Sequence, residues 1–177
     1  STENDVADSS DEKGVGHPRP GDTVMALMPG RDGRRSPRPV LVLEADRRDR
    51  IDGGSETLRL TVADSRRHNL ERTFPGEFRV DQEAGMRAAG LRMACKFDTA
   101  KPQALAYDRD NFVMGRNGDP RLGRLDEGDI ARARKAYGWA QRKFGNLPEL
   151  GGMTPPPPRA GDMVYLYSPF HNAPDEP

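Results

Sequence analysis

Apolar residues fall in short runs along the first two thirds of the chain, and their period changes after residue 126. Asp22–Met28 is entered through Pro20-Gly21 and left through Pro29-Gly30, residues that punctuate structure, and it reads as a first strand. Pro39–Ala45 (PVLVLEA) is apolar at successive positions with β-branched valines, which predicts a central strand buried on both faces. A long arginine-rich loop, GRDGRRSPR, joins the two. Leu58, Leu60 and Val62 alternate with Arg59, Thr61 and Ala63, the period-two pattern of a half-buried strand that turns Thr61 away from the core. The same alternation places Phe78 and Val80 opposite Arg79, and Leu91, Met93, Cys95 and Phe97 opposite Arg92, Ala94, Lys96 and Asp98. Leu105–Tyr107 and Phe112–Met114 add shorter candidates, with Asn117-Gly118 as a turn before Leu122. Many short strands at this spacing predict a mainly β fold, a small barrel.

From Asp126 onward, Ile130, Ala133, Tyr137, Ala140 and Phe144 recur at three and four residues, one apolar stripe of a closing helix. Asp126 is its expected N-cap, Gly145 its expected stop, and Lys143 near that end suits the helix dipole. Trp139 lies off the stripe, where it can pack on a strand or dock the later PPPP segment. Beyond the helix, PPPP at 155–158 reads as an extended spacer and GDMVYLY as one further strand-like segment. The expected organisation is a disordered acidic tail over residues 1–18, a barrel domain with its helix over 19–146, and a Pro-rich extension over 147–177. A chain of 177 residues has room for one ordinary domain of roughly 100–150 residues.

Composition narrows the chemistry. A single cysteine excludes an internal disulfide, and with three scattered histidines it gives no spacing that would hold zinc. No cofactor is expected. No run approaches the ~18 apolar residues of a membrane span, and the N-terminus lacks the basic start and apolar stretch of a signal peptide, so a cytoplasmic protein is expected. The formal net charge is zero, so any nucleic-acid footprint has to be local. Charge is segregated: Glu3, Asp5, Asp8, Asp11 and Glu12 crowd the start, while arginines gather at 31–38 and 66–67.

Three motifs stand in order: Gly21-Asp22-Thr23-Val24, then Arg38-Pro39-Val40-Leu41-Val42 after the arginine-rich loop, then Arg121-Leu122-Gly123-Arg124-Leu125-Asp126 before the helix. In this order and at these separations, over about residues 19–144, the chain resembles the MazF/PemK family of toxin endoribonucleases. The resemblance implies an SH3-like barrel with helices, usually a homodimer, held inactive by an antitoxin. It also implies metal-independent cleavage of single-stranded RNA, in which a 2′-hydroxyl attacks the adjacent phosphorus and leaves a 2′,3′-cyclic phosphate.

Charge builds on the non-bridging oxygens in such a reaction, and a planar guanidinium fits it. Arg38, at the family's arginine before proline, is the expected catalytic group. Thr61, twenty-three residues on, matches the family's hydroxyl residue that holds the scissile phosphate. Arg31, Arg34, Arg35, Arg66, Arg67 and His68 would form an RNA-binding track. The chain departs from the family where members carry an acid and a glutamine in the first loop, since Arg34 and Arg35 stand there, which leaves Asp32 and Asp98 as acid–base candidates. Cys95 stands where members have an acid and reads as a small buried residue. Two alternatives remain: Arg38 as an ordinary ion-paired side chain, with Asp32 or Glu44 as partner, and the domain as a degenerate barrel that only binds nucleic acid or protein.

Overall fold

A computed structural model describes residues 16–48 and 57–145. Most of the acidic tail, residues 49–56 and the whole Pro-rich extension with its GDMVYLY segment lie outside the described residues. The elements run β1 (Asp22–Pro29), β2 (Arg35–Arg48), β3 (Thr57–Arg66), β4 (Glu77–Val80), α1 (Glu83–Ala88), β5 (Cys95–Ala106), β6 (Arg121–Arg124) and α2 (Glu127–Phe144). All strand pairings are antiparallel, in the order β4-β5-β3-β2-β1-β6. Register shifts between Thr23 and Val24, Val42 and Glu44, and Val62 and Asp64 bend the sheet, as bulges do by adding local twist. The sheet curls into a half-barrel with α2 against it.

The central strand is as its composition predicts: Val40, Leu41, Val42 and Leu43 are all fully buried. Alternation sends Val40 and Val42 into one core with Val24, Ala26, Met28, Leu60, Val62 and Phe112. Leu41 and Leu43 enter a second core with Ala63, Phe78, Val80, Phe97, Ala133 and Tyr137, built between the sheet and α2. Helix α2 follows the predicted stripe through Ala133, Tyr137 and Ala140, whereas Phe144 at its end is half exposed; Asp126 accepts from Asp129 N at 2.8 Å, and Gly145 ends the helix at a φ of 65°.

Three expectations are corrected. Thr61 is not turned out to solvent but is 7% exposed, because the second face of β3 is covered as well as the first. Its register partner is Glu44, which accepts from the Tyr137 hydroxyl of α2, so Thr61 lies on the helix-facing side. The strand expected from Leu91 begins only at Cys95 and continues to Ala106, absorbing the Leu105 candidate; Met93 before it is half exposed. Phe112 makes an isolated bridge to Ala26, and β6 returns on β1 instead of pairing with Phe112–Met114.

Candidate functional site: the Arg38–Asp64–Asp98 face

Arg38 leaves β2 on the same face as Val40 and Val42, where the buried strand meets the loop of residues 30–34. Its guanidinium grips Asp64 on β3: Nε donates to Oδ1 at 3.1 Å and Nη2 to Oδ2 at 2.6 Å, while Nη2 also donates to the Pro29 carbonyl at 2.9 Å. Neither partner is sealed in, with side chains 23% and 26% exposed. No acceptor among the described residues engages Arg38 Nη1. Asp64 Oδ1 additionally accepts from Ser65 N at 2.8 Å, so three donors fix the carboxylate.

Asp98 on β5 is the direct register partner of Asp64, and side chains of directly paired residues project to one side of the sheet. Burial raises the Asp98 carboxyl above the ordinary aspartate range. The Ala100 N–H on its Oδ1 opposes this, nearby Glu77 adds to it, and Lys101 and Arg66 counter it. Two residues away on the same face, Lys96 is 4% exposed. Its ammonium lies 3.5 Å from Glu77 Oε1 and donates to the carbonyls of Asn69 (3.1 Å) and Arg72 (2.8 Å). That buried cation pins the loop following β3, whose first residues are the exposed Arg67 and His68.

The candidate residues read from sequence divide accordingly. Arg38 and Asp98 share a face, with Arg66 near enough to Asp98 to act on its charge. Arg31 and Arg34 are exposed on the neighbouring loop. Asp32 closes that loop, its Oδ1 accepting from Arg34 N at 3.0 Å, a turn-stabilising role. Arg35 is drawn toward the far edge of β1, donating to Leu27 O and Asn111 Oδ1. Arg67 donates to Met93 Sδ at 3.4 Å, away from Asp98.

Arg38 and Thr61 do not form one site. Glu44, the partner of Thr61, is six residues along β2 from Arg38, roughly 20 Å at ~3.3 Å per residue, and Thr61 faces the helix while Arg38 faces the other core. The carboxylate that meets Arg38 is Asp64, not Asp32 or Glu44. Sequence reading passed over Asp64, although an acid in the apolar run LRLTVADSR was a visible signal. The nearest hydroxyl on β3, that of Ser65, donates to the Pro39 carbonyl.

Cys95 is 2% exposed, and burial pushes its thiol up to about 12, with Arg67 pulling weakly the other way. It is a core residue. Among the described residues no group of three or more His, Cys, Asp and Glu is placed to hold a metal ion, and no helix is long and apolar enough to cross a membrane. Fold and site together define an antiparallel half-barrel carrying one guanidinium between backbone and carboxylate, with a second carboxyl beside it. No protein-family model and no curated protein matches the chain.

Proposed function

We propose that this chain is a toxin-like endoribonuclease built on an SH3-like barrel of the MazF/PemK type. It cleaves single-stranded RNA without a metal by attack of a 2′-hydroxyl on the adjacent phosphorus. The observation that carries this reading is the Arg38–Asp64 pair: a part-exposed guanidinium and a carboxylate held side by side, at the end of a rigid strand and beside a loop bearing Arg31 and Arg34. Arg38 would turn Nη1 to a non-bridging oxygen and stabilise the charge that grows there. Asp64 would take the 2′-proton, and Thr61, on the other face, would not hold the phosphate. Asp98, its carboxyl raised by burial, would return a proton to the departing 5′-oxygen.

The resemblance supplies the rest of the proposal: a cytoplasmic homodimer, and an antitoxin whose acidic segment covers Arg31 and Arg34. One observation favours a second reading, a barrel that binds RNA without cutting it: Asp64 already neutralises Arg38. Mixed RNA incubated with the protein in EDTA separates the two. The enzyme gives 2′,3′-cyclic phosphate ends, lost in Arg38→Ala and in Asp64→Asn; salt-sensitive binding with intact RNA over long incubation establishes the binder and ends the ribonuclease reading.

A further inference from the structure

On another side of the molecule β4 and α2 leave a groove of roughly 400 Å³ whose floor is apolar and whose rim carries Arg79, Arg132 and Lys135 together with the acids Glu77 and Asp81. Phe78, Ala136 and the Trp139 ring line it, with Pro75 and Gly76 at one side and Arg79, Arg132 and Lys135 around it. Gly76 matters to its shape. At a φ of 91°, a Cβ there would sit 3.6 Å from Trp139 Cε3 and 3.0 Å from Ala100 Cβ, so the absent side chain lets the indole lie close over the loop. The indole's other neighbour is Phe144, edge-on at 5.9 Å and half exposed. Phe74, flanked by the lining residues Thr73 and Pro75, is also more than half exposed. An indole and further aromatics in a shallow groove with polar margins make a surface suited to a polyproline helix, whose rings stack on aromatic faces without needing to be ordered first.

The chain carries such a segment close by. Helix α2 ends at Phe144, five residues after Trp139, and Pro155–Pro158 follow nine residues beyond Gly145. Nine residues reach at most about 30 Å, ample to fold back along a helix end. Four prolines in polyproline geometry span ~12 Å, and the helix positions lining the groove, Arg132 to Trp139, span ~10 Å along the axis. Charge favours this only modestly, since three cations and two acids, Glu77 and Asp81, line the groove and Arg159 directly follows the prolines. Residues 146–177 hold Glu149, Asp162, Asp175 and Glu176 against Arg159, while Arg79, Arg132 and Lys135 rim the groove.

We infer that the β4–α2 groove is the docking site of the chain's own Pro155–Pro158 segment. This assignment is independent of the ribonuclease reading. The protein has a single tryptophan, so indole emission reports on this groove alone. In the full chain, Trp139 emission and its quenching by acrylamide are compared with those of the variant Pro155→Gly, Pro156→Gly, Pro157→Gly, Pro158→Gly. Docking predicts a red shift and stronger quenching in the variant, reversed by an excess of a synthetic peptide of residues 153–160. Identical emission and quenching in the two proteins overturn the inference. Protection that grows with protein concentration also overturns it, since the groove is then filled from a second copy.

Discussion

A guanidinium that serves a phosphate has to be available to it, and Arg38 meets this condition through the weakness of its present partnership. An ion pair with both side chains about a quarter exposed contributes on the order of 1 kcal/mol or less, because water and salt screen it. A phosphodiester can therefore displace or share the Asp64 contact at small cost, while the Pro29 carbonyl keeps Nη2 aimed. Cys95 shows the opposite case. Its thiol, pushed up to about 12 by burial among Phe97, Val80 and Leu41, has almost no thiolate at neutral pH. Iodoacetamide at pH 8 should leave the native protein unmodified and alkylate it stoichiometrically after denaturation. Mass spectra of the two samples decide this, and rapid labelling of the native chain would contradict a core position.

At the level of elements, the tightest constraint is where α1 and β6 cross. A Cβ on Gly123 would stand 2.3 Å from Ala88 O, and one on Gly90 would stand 2.2 Å from Leu122 O, backbone against backbone on both sides. Gly123 was visible in the sequence as part of the motif before the helix, but its reason was not, because α1 itself was missed. Its six residues, EAGMRA, bury only Gly85 completely and are too few to show a helical period. Gly123→Ala should destabilise the fold by about 1–3 kcal/mol through backbone displacement, seen as a lower denaturation midpoint at unchanged slope. By contrast β1, the buried core of β2, β4 and α2 were legible, since each has a period, a cap or a flanking Pro-Gly that local chemistry supplies. Thr61 was misplaced for a nonlocal reason: a period-two pattern tells that its two faces differ, not that a helix will cover the second. The ion-pair partner of Arg38 was misread likewise, because the shifts in register at Val42/Glu44 between β2 and β3 and at Val62/Asp64 between β3 and β5 leave no mark in hydropathy.

Across the whole molecule, the sheet and α2 are joined through a contact that is polar in a largely apolar seam: Tyr137 donates its hydroxyl to Glu44 Oε1 at 3.1 Å. Burial raises the Glu44 carboxyl above the ordinary range; the tyrosine bond lowers it again, and Asp46 adds to the rise. Burial likewise raises Asp98 and Asp129, the latter against the Arg132 contact. A carboxyl whose folded pKa lies above its unfolded one binds protons more readily when folded. Its contribution to stability is thus fully present below the unfolded value and is lost as pH rises through the folded one. Around neutral pH, then, Glu44 holds a charge that the seam between sheet and helix disfavours. Glu44→Gln retains a carbonyl oxygen to accept from Tyr137 while removing that charge. The variant should melt at a higher temperature than the parent at pH 7, and the difference should shrink as pH falls toward about 4, where an unfolded glutamate takes up its proton. Thermal melts across that range measure it, and a gain that widened toward acid would show that the ionised form of Glu44 is the one the fold prefers.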